Sequence, residues 1–288
     1  MNKSKLMLVG SMVIFGTIGV FRRYIDLPSG MLAFSRGLIG VLFLLVLMRM
    51  KGERISGWEN KSKLVLLLLS GVFIGFNWIL LFEAYRYTSV ATATLCYYMA
   101  PIFVLLAMPV LLRERLSGRK LVCVLAALLG MVLVSGVLDS DFSGIRELRG
   151  VFLGLGAAVL YAGVVILNKK IGEIEPIRKT TIQLAAAAAS LLPYVLLVED
   201  ISLVKFTPFA AVMLLIVGVV HTGFAYAMYF GSMNVLSAQT VALFSYIDPV
   251  VAVLLSALLL HEGMSALEIM GAVLVLGSTV INEISLDN

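Results

Sequence analysis

Apolar runs close to membrane length recur along the whole chain, with short polar stretches between them. Ten can be marked, at roughly 6–25, 29–48, 64–86, 89–112, 119–138, 150–169, 180–198, 207–231, 236–260 and 266–284. A hydrocarbon core about 30 Å thick is crossed by roughly 20 apolar residues wound as helix, so each run predicts one transmembrane helix. The longest polar connections are Arg49–Lys63 and Asp139–Arg149, and neither is Pro-rich or of low complexity. The pattern predicts an all-α integral membrane protein of ten spans with almost no soluble domain.

The ninth run contains a Pro in mid-span, in the stretch Ser237–Glu262. The stretch Ser89–Glu114, 148 residues earlier, has the same layout. Ser89 answers Ser237, Tyr98 answers Tyr246, Pro101 answers Pro249, and Leu106, Leu111 and Glu114 answer Leu254, Leu259 and Glu262. A mid-helix Pro held at one offset with its flanking residues points to an internal duplication. Gly16–Ile25 lines up more loosely with Ala162–Ile171. The expected halves are residues 1–145 and 146–288, five helices each. An odd number of spans per copy inserts the second copy upside down, so the expectation is two inverted five-helix repeats with a site near the midplane between them.

Composition fits this picture. The chain is 61% hydrophobic and only 14% charged, with mean hydropathy +1.04, which a soluble domain of 288 residues does not match. The net charge of +5 carries topological information rather than a nucleic-acid signal. With the N-terminus inside, fifteen Lys and Arg lie at inner loops and six at outer ones, with Arg36 inside a span. Both termini are therefore expected in the cytoplasm, Ser117 inside and Ser143 outside, in a multi-pass plasma-membrane protein. Cys96 and Cys123 are the only cysteines and both sit in apolar runs, which supports neither a disulfide framework nor a metal site. Lys3 and Lys5 before an apolar run resemble a secretory leader, but no small-residue cleavage site follows, and the run reads as the first span.

The chain resembles the ten-span carriers of the drug/metabolite transporter superfamily, EamA type, over essentially its whole length. The resemblance is carried by Phe15-Gly16 in the first span, Arg36 early in the second, and Tyr85–Phe103 running on to the Arg113–Leu116 turn. In the second half it is carried by Tyr246, Pro249 and the Leu260-His261-Glu262 turn. The family's usual Trp-Gly is Phe-Gly here. The resemblance implies alternating-access transport of a small metabolite, often export; an amino acid or a cationic or aromatic compound is the expected solute. It leaves the substrate open.

Pro101 cannot donate to the Tyr97 carbonyl, nor Pro249 to that of Ser245. In lipid a freed carbonyl needs a partner or a wet cavity. Both helices are expected to kink beside a central cavity, or else at a packing contact. Asp248 lies in mid-span, where a carboxylate costs about 2.5–3.5 kcal/mol on insertion scales. It faces either the cavity, carrying a coupling proton or a cationic solute group, or a structural partner. Its counterpart Ala100 does not require it. Phe76, Trp78, Tyr97, Tyr98, Tyr226, Phe244 and Tyr246 fall at similar levels, as in an aromatic-lined cavity or ordinary bundle packing. Asn77 adjoins Trp78. Arg36 suits a structural role or a solute contact. Glu83 and Arg86 are spaced to pair with each other. His221 and Gln183 are placed to bond between helices, and Gly71-x-x-x-Gly75 and Gly150-x-x-x-Gly154 permit close helix approach within a chain or between two, so a monomer or a homodimer.

An enzyme would need a nucleophile–base pair or a ligand set, and two His and two Cys at unrelated spacings supply neither. No phosphate-binding G-x-x-x-x-G-K-[ST] occurs, so the expected driving force is an ion gradient or solute exchange, without cofactor or metal. A channel-like permease is the alternative within the transport class.

Overall fold

The computed structural model describes residues 3–52, 61–88, 90–113, 117–134, 137–139, 145–200, 207–260 and 265–284. Ser89, Glu114, Arg115, Leu116, Ser143, His261 and Glu262, named above, lie outside them. The described residues are helical and contain no strand. In order the helices are α1 Lys3–Arg22, α2 Ser29–Met50, α3 Lys61–Ala84, α4 Val90–Tyr97, α5 Ala100–Leu111, α6 Gly118–Val134, α7 Ile145–Ile171 and α8 Pro176–Val198. They continue with α9 Pro208–Ile216, a π-helical segment Val217–Phe224, α10 Ala225–Ser232, α11 Ala238–Phe244, α12 Ile247–Leu260 and α13 Ala266–Ile284. Every predicted run is occupied by helix. Among the described residues, seven spans, including Thr92–Leu111 and Pro208–Ser232, are long and apolar enough to cross a bilayer. The layout of α1 to α6 recurs in order from α7 to α13, with α9, the π segment and α10 standing where α3 stands.

Local chemistry sets the helix starts. Glu175 accepts from the Arg178 N–H at 2.7 Å, and Pro176 fills the next position, where its missing N–H costs nothing. The seventh span therefore starts ahead of the predicted residue 180, and Arg178 and Lys179 are helical rather than loop residues. Thr207 caps α9 in the same way, bonding Ala210 N at 3.1 Å ahead of Pro208. Helix α7 also starts earlier than the apolar pattern suggested. Glu147 in its first turn is buried against Thr88, whose hydroxyl donates to it at 3.1 Å.

The helices are interrupted at both paired prolines. Helix α4 ends at Tyr97 and α5 begins at Ala100, with Pro101 in its first turn; α11 ends at Phe244 and α12 begins at Ile247, with Pro249 just inside. The hydrogen bonds tighten at each break. Met99 N reaches back three residues to the Cys96 carbonyl (3.2 Å), and Tyr246 N to that of Leu243 (3.2 Å). A Pro ring both removes a donor and clashes with the carbonyl four residues back, and three-residue bonds close the preceding turn instead. Both prolines are buried.

Two compact units emerge from the contacts. The first comprises Met1–Ile79 and Leu167–Leu236. Its α2 packs on α8 and on the π segment, and α1 packs on α10. Glycines set these approaches: a Cβ on Gly40 would lie 3.1 Å from Gly223 N, and one on Gly71 would fall on the Gln183 carbonyl of α8. Glu199, just past α8, accepts from Gly30 N and Met31 N at 2.7 Å each, satisfying two orphan donors at the start of α2.

The second unit comprises Leu80–Ile166 and Ser237–Asn288. Here α6 and α13 cross at a pair of glycines. A Cβ on Gly130 would lie 2.7 Å from the Gly271 carbonyl, and one on Gly271 would lie 2.5 Å from that of Gly130. Gly150 and Gly154 of α7 abut Thr88 and the Ala93–Cys96 turn of α4. Lipid supplies no hydrophobic push between helices, so backbone approach through small residues does this work.

Candidate functional site

In the second unit, the breaks after Tyr97 and Phe244 bring together Tyr97, Tyr98, Tyr246 and Asp248. Ser237 starts α11 by accepting from Thr240 N at 3.2 Å, and the seven residues of that helix are all buried. The chain then turns through Ser245 and Tyr246 into α12, whose first turn holds Asp248. Tyr246 is completely buried, and its hydroxyl donates to the Tyr98 carbonyl at 3.0 Å. That carbonyl is free to accept because Ile102 N bonds to Met99 instead. The two tyrosines are 148 residues apart and repeat-equivalent, so one copy's side chain closes the other copy's break.

Around this bond the rings form a chain. Tyr98 lies 6.4 Å from Tyr246 and 5.7 Å from Tyr97, and Tyr97 lies 5.5 Å from Tyr161. Asp248 is half-buried and lies within electrostatic range of Tyr85 and Tyr98. Among the described residues its carboxylate makes no hydrogen bond or ion pair, whereas Tyr85 approaches Thr94 at 3.4 Å. Ala100, the counterpart of Asp248, is buried in the first turn of α5. The carboxylate at 248 therefore has no counterpart in the first copy. Tyr85 and Tyr161 were not among the sequence candidates. A tyrosine in mid-span, away from the interfacial belts, is the signal that would have marked Tyr161.

A second group lies in the first unit. The Arg36 guanidinium sits 4.2 Å above the Trp78 ring, within cation–π range. Trp78 meets Tyr226 edge-on at 6.2 Å, and Tyr226 meets Phe15 at 5.0 Å and Phe230 at 5.4 Å. Asn77 is buried next to Trp78 in sequence. His221, in the π segment, lies 2.7 Å from the Thr17 hydroxyl through Nε2, with the Phe21 ring at 4.8 Å. The Thr17 hydroxyl donates to the Ile14 carbonyl at 2.7 Å. Phe15, Tyr229 and Phe230 complete this cluster. Phe76 faces outward, 47% exposed, and leaves the predicted set of aromatics.

Two further candidates are held locally. Glu83 pairs with Arg86 at 2.8 Å at the end of α3. Gln183 joins α8 to α3 and α7, donating to Ser70 at 2.8 Å and Asn168 at 3.1 Å, while Asn168 donates to Ser70 at 3.2 Å. All three are buried. Among the described residues no group of three His, Cys, Asp or Glu could hold a metal ion.

Comparison with known proteins agrees with this architecture. The sequence pattern of the EamA-like transporter family matches residues 2–136 and again 148–283. The uncharacterized transporter YxxF of Bacillus subtilis (strain 168) is 32% identical over 254 residues, covering 86% of this chain and 79% of that protein. Mouse solute carrier family 35 member G1 is 31% identical over 121 residues, 39% of this chain and 33% of that protein. A solved crystal structure superposes with a TM-score of 0.85 at 18% identity, covering 97% of this chain and 98% of that one, a likeness of fold.

Proposed function

Because the chain belongs to the EamA-like transporter family, we propose that it is a secondary active transporter exporting a small organic metabolite across the plasma membrane by alternating access. The solute is an amino acid or a cationic or aromatic compound, and a proton gradient drives it. Residues 1–145 and 146–288 act as inverted five-helix repeats, a reading supported by the two family matches and by the recurring helix order.

One observation carries the assignment: the half-buried Asp248 carboxylate, without hydrogen bond or ion pair among the described residues, beside a chain of tyrosines at a doubly broken backbone. A carboxylate at that depth is costly without a role. Ring faces and one negative charge together attract an organic cation, and the same carboxylate can take up a proton instead. Exchanging proton for solute on one group couples the two fluxes.

The test is Asp248→Asn, which keeps the shape and removes the titration. A proton carrier loses pH-driven uptake but still binds solute and performs exchange. A cation-binding residue loses solute binding itself. A variant that binds and transports like the parent across pH would overturn the role of Asp248 and point to an exchanger or an uncoupled permease.

A further inference from the structure

The first unit holds a second constellation, independent of the Asp248 reading. Lys179, in the first turn of α8, is completely buried. Its ammonium donates to Asn234 Oδ1 at 3.0 Å, and Asn234 is itself fixed by donating to the Ile174 carbonyl at 3.0 Å. Lys169, in the last turn of α7, donates to the carbonyls of Met233 (3.3 Å) and Leu236 (2.8 Å). Both ammoniums therefore rest on one four-residue turn after α10. Lys63 of α3 lies within electrostatic range of Lys179, as does Lys169.

All these partners are neutral. Among the described residues, no carboxylate bonds to Lys169 or Lys179. The nearby Glu175 has turned its carboxylate to the Arg178 N–H. A buried ammonium without a counter-charge is strongly disfavoured, and two side by side repel. An ammonium has three donors. Lys169 spends two on carbonyls and Lys179 one on an amide, which leaves three N–H groups without a bond among the described residues.

We propose that this end of the unit is an anion site, in which one oxyanion, a carboxylate or phosphate group, bridges Lys169 and Lys179. Half-buried Lys169 provides the approach. The Asn234 and carbonyl contacts hold the two ammoniums in register for it. The oxyanion comes either from a soluble metabolite or from an anionic lipid headgroup.

Thermal denaturation of the purified full chain tests this, with inorganic phosphate titrated at constant ionic strength against chloride. Parallel samples in bilayer discs of phosphatidylcholine alone, or with phosphatidylglycerol added, test the lipid source. The expected result is a saturable rise in the midpoint with phosphate, with phosphatidylglycerol or with both, which also tells the two sources apart. Lys169→Gln should weaken the apparent affinity about tenfold or more. Lys179→Met, which removes the buried charge, should be at least as stable as the parent without anion and should no longer respond to phosphate. Equal rises in the parent and both variants, or no response to either anion, would overturn the site. Should Lys179→Met fail to fold, Lys169→Gln decides alone.

Discussion

The hydroxyl of Tyr246 joins the two broken helices of the tyrosine cluster. It is buried and ends on a main-chain carbonyl released by a broken helix. Tyr246→Phe keeps the ring and deletes the bond, and should cost about 0.5–1.5 kcal/mol, read as a lower thermal midpoint in detergent. Tyr98→Phe removes a hydroxyl that makes no hydrogen bond among the described residues, and should leave the midpoint nearly unchanged. The sequence marks both tyrosines through their shared offset, but which carbonyl would accept is not legible in it. That depends on how the turn before Pro101 tightens, a choice between three- and four-residue bonds that small energies decide. Lys179 was equally hidden. A lysine between two apolar runs reads as a loop charge, and only the early start of α8 and the reach of Asn234 bury it.

At the scale of elements, close crossings and helix ends govern. The Gly130–Gly271 crossing leaves no space for a side chain on either helix. Gly130→Val should separate α6 from α13 at a cost of about 2–3 kcal/mol, whereas Gly277→Ala on α13, where a Cβ meets nothing within 4 Å, serves as a neutral control. Glu199→Ala removes the acceptor for two N–H groups of α2 and should cost about 1–2 kcal/mol, with Glu199→Gln intermediate; the same midpoint assay reads both. The ten helical runs were legible from hydropathy, because lipid forces every span to satisfy its own backbone. The π segment was not. Its Gly218 and Gly223 pack against Ile39, Gly40 and Phe43 of α2. Glu199 was likewise unmarked, since a loop carboxylate gives no hint of the helix end it will cap.

For the whole molecule, the packing units and the sequence halves divide the chain differently. Each unit draws on both halves: Met1–Ile79 joins Leu167–Leu236, and Leu80–Ile166 joins Ser237–Asn288. Duplication is written in sequence order, whereas packing follows which helices carry complementary small residues. Topology remains readable from charge. With Cys96 and Cys123 replaced, single cysteines at Ser117 and Ser143 should react with an impermeant thiol reagent from opposite faces of the membrane, Ser117 from the cytoplasmic one. Labelling of both from one face would refute the ten-span arrangement.

The bond from Tyr246 to the Tyr98 carbonyl has a consequence for how the two copies diverge. A hydrogen bond that ends on main chain asks nothing of the side chain at its accepting residue. Position 246 must supply a phenol, while position 98 need only supply a backbone. Mutational tolerance should follow this division: at 98 many residues should pass selection for a folded protein, at 246 few.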